Sequence, residues 1–193
     1  YASNKDAQHS YIDIAKEKGY QVILLDSPIV SHLVQKLEQD NENLTFTRVD
    51  SDHIDKLIAK EDTAISKLSE EESTQLKGVL ESIVPTATYT IQLEAMDSSA
   101  APFMITQPEF MRRMKEMSQT GGGGMFGMGN FPEMYNLVVN TNSDLATTIL
   151  KTEENATRDS LIKQALDLAK ISQGLLKGEE LTAFVKRSFD LIK

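Results

Sequence analysis

Gly122, Gly124 and Gly127 stand at the G-x-G-x-x-G spacing that cradles a dinucleotide pyrophosphate where a strand turns into a helix. Here a helical pattern precedes the glycines and Pro132 follows soon after, so the motif lacks its context; no G-K-[ST] completes a phosphate loop either. Asp26 closes an apolar run, the place of a phospho-accepting aspartate in receiver-type domains, but the upstream acidic pair that would hold the metal is missing. An aspartate leading into a helix is the simpler reading. His9, His32 and His53 lie far apart with no ligand spacing, and no Ser/His/Asp set or carboxylate pair stands out. The count of Cys is 0, which removes thiolate nucleophiles, disulfides and cysteine zinc sites and fits a reducing compartment. The sequence therefore offers no catalytic, cofactor-binding or metal-binding residue.

What it offers instead is soft apolar chemistry. The stretch from Met104 to Met134 holds every methionine but Met96, with Phe110, Phe126 and Phe131 among them and Phe103 at its edge. Pro108 opens a predicted helix in which Phe110, Met111, Met114 and Met117 share a face opposite Arg112, Arg113, Glu116 and Gln119. Gly121–Gly124 and Met125-Phe126-Gly127-Met128-Gly129 follow, and glycine fixes no conformation there. Thioethers on such a segment adapt to many apolar partners, the chemistry of a promiscuous surface. A core helix followed by an unstructured loop fits the same pattern.

Elements that position these residues can be read from periodicity. Residues 6–18 pattern as a helix ended by Gly19, and Tyr20–Leu25 is a continuous apolar run, expected as a strand buried on both faces. Ser27-Pro28 reads as a cap and first helical position, leading into a helix with Ile29, Leu33, Val34 and Leu37 on one side; Leu44–Val49 alternates as another strand. Residues 1–50 thus look like a small α/β fragment. A charged connector covers 51–68, and a second domain is expected over 69–193. That domain opens with an S-x-x-E capping box at Ser69–Glu72 before a helix stopped by Pro85. Thr88–Glu94, Phe103–Thr106 and Tyr135–Asn140 are its predicted strands, making a three-stranded α+β domain.

The chain then reads as helical to its end, with helices predicted over 143–151, 157–175 and from Gly178 onward. In the last, Leu181, Phe184, Val185, Phe189 and Ile192 form one face, while Leu161, Ile162, Ala165 and Leu168 contribute to an apolar arc on its predecessor. The two make a hairpin with more apolar surface than a small sheet covers. Either it packs on its own domain or two copies pair into a four-helix bundle; the pattern leaves both open.

Composition bounds the rest. Hydrophobic residues make up 40% and charged ones 25% of 193 residues, as in a folded globular chain. The net charge of -9 repels phosphate backbones and argues against nucleic acid. No apolar run approaches a membrane span, and no signal peptide is visible, so the Asn43 and Asn155 sequons read as chance matches. Tyr1-Ala2-Ser3 begins without an initiator Met, in what reads as the tail of a strand, so the chain is expected to be a segment of a longer protein.

Three stretches in order carry a family resemblance: GYQVILLDSPIVSHLVQKLE, LKGVLESIVPTATYTIQLEAMDSSAAPFMITQPEFMRRMKEM, and NATRDSLIKQALDLAKISQGLL with LTAFVKRSFDLIK. In these the chain resembles the heat-shock protein 90 chaperones, the bacterial HtpG branch in particular. The resemblance implies that 1–50 ends a middle domain and that 69–193 is a C-terminal dimerisation domain whose last two helices form an intermolecular four-helix bundle. It implies a homodimer through Leu161, Ile162, Ala165, Leu168, Leu181, Phe184, Val185, Phe189 and Ile192. It implies a client-binding helix face at Phe110, Met111, Met114 and Met117, turned to the cleft between protomers; Met125, Phe126 and Met128 extend this face only by departing from the family pattern. Unfolded or partly folded clients would be the partners, the cytoplasm the location. ATP and magnesium would sit in an N-terminal domain of the ATPase parent, leaving this segment without catalytic activity. A stand-alone dimeric adaptor with a fixed partner is the rival reading.

Overall fold

The computed structural model of the chain describes residues 1–27, 29–58, 64–120 and 133–191. Its contacts divide it into two compact units: residues 1–59 with 106–135, and residues 60–105 with 136–193. Among the described residues there are helices and a three-stranded sheet, an α+β arrangement in agreement with the class expected from the sequence.

In the first unit, helix α1 (His9–Glu17) turns Tyr11, Ile12 and Ala15 inward. Its end is a Schellman motif, in which Gly19 at φ 83° donates its N–H to Lys16 O at 2.8 Å and Tyr20 N–H reaches Ala15 O at 3.0 Å. Only a residue tolerant of positive φ fits there. Helix α2 (Val30–Asp40) and the one-turn helix α3 (Ile54–Leu57) follow. A rudimentary parallel pairing runs through Tyr1-Ala2. Ala2 N–H donates to Ile23 O (2.9 Å), Leu25 N–H to Ala2 O (2.8 Å) and Val49 N–H to Tyr1 O (2.9 Å).

Three expectations change here. Tyr20–Leu25 is no doubly buried strand, because its strand-type pairing among the described residues is a single bridge to Ala2, and Ile23 keeps 59% of its surface exposed. Leu44–Val49 likewise forms hydrogen bonds without becoming a strand. Helix α2 starts later than a Ser27 cap predicts, with Ile29 at the cap and no side-chain cap bond. It buries Val30, Ser31 and Val34 and leaves Ile29 and Leu33 exposed; Pro28 lies outside the described residues.

The second unit follows the pattern more closely. Helix α4 (Glu70–Glu81) opens on the full capping box, with Glu72 N–H donating to Ser69 Oγ at 3.1 Å and Ser69 N–H to Glu72 Oε2 at 2.8 Å. Its Leu76 and Leu80 are wholly buried. Strands β1 (Tyr89–Glu94), β2 (Phe103–Thr106) and β3 (Tyr135–Asn140) pair in the order β1-β3-β2, which puts β3 at the centre, and its Leu137, Val138 and Val139 in the core. At the end of β3 and just past it, Asn140 and Asn142 satisfy loop backbones that would otherwise be buried without partners: Asn140 donates to Asp97 O (2.8 Å), and Asn142 to Ile65 O and Met96 O (both 3.0 Å). Helices α6 (Asp144–Lys151), α7 (Asn155–Ser172) and α8 (Gly178–Leu191) complete the unit.

Candidate interaction surfaces

Helix α5 (Glu109–Thr120) belongs to the first unit and packs on α2. Glu109, Arg112, Arg113 and Glu116 recur at i, i+3, i+4 and i+7, which puts four charges on one stripe. That charged stripe is the docked one. Arg48, with a side chain only 2% exposed, reaches Glu116 at 2.6 Å, lies 3.8 Å from Glu109, and donates from Nε to the Tyr1 hydroxyl at 2.9 Å. The Tyr1 hydroxyl in turn donates to Glu109 (2.7 Å), and its ring lies under the Arg48 guanidinium at 5.4 Å. Arg112 forks onto Asp50 at 2.7 and 3.2 Å, and Arg113 binds Glu38 at 2.7 Å and Glu109 at 2.8 Å.

The ionisation of these groups follows from their partners. Burial would raise the Glu116 carboxyl, but hydrogen bonds from Arg48 and Ser31 and the charges of Arg48 and Arg112 hold it below the usual carboxylate range. Glu38 is held down in the same way, against its burial, by Arg113 and the Phe46 N–H. Burial and the Glu109 carboxylate push the Tyr1 phenol up to about 12, so it stays a hydrogen-bond donor.

With its charges engaged, α5 turns Phe110 outward, 69% exposed, while Met111, Met114 and Met117 are half-buried. Met125, Phe126 and Met128 lie outside the described residues. The amphipathic pattern predicted these two faces, but not that the polar one would be the anchor. Arg48, Glu38, Asp50 and Tyr1 were not singled out by sequence; the acid-base-base-acid order on α5 was the available signal.

In the second unit, α7 ends in another Schellman motif, Gly174 N–H to Ile171 O and Leu175 N–H to Lys170 O, both 2.9 Å. The chain then returns as α8. Arg187 donates to Gln164 (2.9 Å) and to Asp167, Ser188 accepts from Gln164 (3.0 Å), and Lys170 binds Glu180 (2.8 Å), which fixes the antiparallel register. Of the residues named for this surface, Ile162 and Ala165 are buried in the unit's own core, so they hold α7 in place and have no surface to offer a second copy. Leu161 and Phe184 are half-buried; Leu168, Leu181, Val185 and Phe189 are exposed, joined by Ile171, which the sequence reading did not name. Ile192 lies outside the described residues.

Among the described residues no group of three or more His, Asp or Glu is placed to hold a metal ion, and Asp26 is exposed. No described helix is long and apolar enough to cross a membrane.

No family model matches the chain. Curated relatives do. The chaperone protein HtpG of Bacteroides thetaiotaomicron is 34% identical across 100% of this chain and 38% of its own length. That of Bacteroides fragilis is 32% identical over the same shares, and that of Porphyromonas gingivalis 39% identical over 93% of this chain and 26% of its own length. The chain thus spans little more than a third of the relatives' length at most. The similarity runs over the whole chain and so through both units, which matches it to a segment of these chaperones. The chain belongs to the heat-shock protein 90 family, in its HtpG branch.

Proposed function

We propose that this chain is the part of an HtpG-type chaperone that joins two copies and contacts unfolded or partly folded client proteins. The observation that carries the reading is the exposed apolar row on the α7–α8 hairpin, Leu168, Ile171, Leu181, Val185 and Phe189. Large apolar side chains clustered on one face of a rigid hairpin favour a symmetric partner that offers the same face, as in a four-helix bundle. Leu161 and Phe184 would border that contact.

Client contact falls to α5, where Phe110 with Met111, Met114 and Met117 offers an adaptable apolar strip on a helix anchored by its charges. Residues 1–50 would then end a middle domain and 69–193 form the dimerisation domain, with α5 packed on the former. ATP and magnesium would be bound by another domain of a cytoplasmic parent, whose two copies the hairpin holds at high effective concentration. The client assignment is tested by Met114→Ser combined with Met117→Ser. Suppression of aggregation of a chemically unfolded protein should weaken, and unchanged suppression would overturn it.

A further inference from the structure

We infer that Arg48 is the positioning residue of the client surface: its buried guanidinium bridges Glu109 and Glu116 and sets the rotation of α5 that leaves Phe110 exposed and Met114 and Met117 only half-buried. The inference rests on the reading of α5 as the client helix.

An amphipathic helix with a Met/Phe side ordinarily turns that side to the core, because burial of apolar area is the larger driving force. Here the charged side is docked, Phe110 stands exposed and Met111, Met114 and Met117 are only half-buried, so something must outweigh that preference. Glu109 and Glu116 are two helical turns apart on the docked stripe, and their side chains are only 16% and 34% exposed. Two acids facing a desolvated surface would repel it unless a cation sits between them. Arg48 is that cation, and it comes from outside the helix.

The remaining charges complete the key. Arg113 meets Glu38 and Arg112 meets Asp50, so each charge on the stripe finds an opposite one: acid on Arg48, base on acid. Sliding α5 by one turn puts Glu109 or Glu116 where Arg112 or Arg113 stands, against Asp50 or Glu38, and a one-residue slip brings Met111 to the Arg112 site or Met114 to the Arg113 site. The pattern is therefore a register device, in which ionic partners select one orientation among several that packing alone would allow.

Hydrogen exchange on the whole chain tests this. In Arg48→Met the amides of α5 should exchange roughly tenfold faster or more, while those of α1, in the same unit, change little. Arg48→Lys, which keeps the charge but loses the fork, should fall between. Retention of a reduced, carboxymethylated unfolded protein should drop several-fold in Arg48→Met. Glu116→Gln, at a half-exposed position, gives the same direction with a smaller effect should Arg48→Met fail to fold.

Equal acceleration of α1 and α5 would overturn the inference, since Arg48 would then only stabilise the unit. So would selective loosening of α5 with client retention intact, provided Phe110→Ser lowers retention. If Phe110→Ser leaves retention unchanged, the client reading itself fails, and α5 exchange still reports on the Arg48 bridge independently.

Discussion

Replacing Phe189 by aspartate separates the proposed pairing of hairpins from the fold of the single chain. Phe189 is 64% exposed, so the unit depends little on it. Full burial of a large apolar side chain gains roughly 1.5–3 kcal/mol, and covering the exposed two-thirds of Phe189 would gain about 1–2 kcal/mol. A two-fold interface meets the residue twice, giving about 2–4 kcal/mol, or a Kd weaker by roughly 30- to 1,000-fold from lost burial alone. The buried carboxylate adds to this. Sedimentation equilibrium over a range of concentrations should find the parent chain at twice the single-chain mass and Phe189→Asp at the single-chain mass, with the urea midpoint of the variant unmoved at concentrations where both are monomeric. A parent chain that stays monomeric at high concentration, or a variant that pairs as well as the parent, would refute the argument.

Ser69→Ala removes the side-chain half of the capping box and should cost about 1 kcal/mol of second-unit stability in urea unfolding, because Glu72 N–H loses its acceptor. Acid should loosen the first unit. Glu38 and Glu116 titrate below their unfolded value of 4.5, so the unfolded chain binds more protons as pH falls; their contribution is complete above about 4.5 and lost as pH drops through the depressed folded values. Circular dichroism with urea between pH 7 and 3 should show that loss, and Glu116→Gln should flatten it.

What could be read from sequence depended on whether the signal was local. The capping box at Ser69–Glu72, the three strands and the glycine that ends α1 are set by neighbours within a few residues, and each is found where its pattern places it. The apolar run Tyr20–Leu25 misled because continuous apolarity records what a segment could bury, while burial depends on a partner further along the chain; Ala2 pairs with it at a single bridge. The same limit applied to the hairpin, where periodicity gave one face to α8 but could not tell that Ile162 and Ala165 face the core and Ile171 does not. Arg48 was invisible for the strongest form of this reason: its carboxylate partners lie about sixty residues or more away, and an arginine in an alternating stretch ordinarily reads as solvated.

The docked face of α5 also bears on why its apolar side remains available. Apolar contact is non-directional, so a Met/Phe helix held only by greasy packing would have many near-equal orientations, and most would hide Phe110. Charge-assisted hydrogen bonds are directional and fail when misaligned, which confines the helix to the orientation in which Arg112 forks onto Asp50 and Arg48 spans Glu109 and Glu116. Specific ionic contact inside thus keeps non-specific apolar contact outside. Under the proposed reading that division suits a surface meeting many unrelated sequences, because breadth of recognition comes from the thioethers and the aromatic ring while the scaffold beneath them stays fixed.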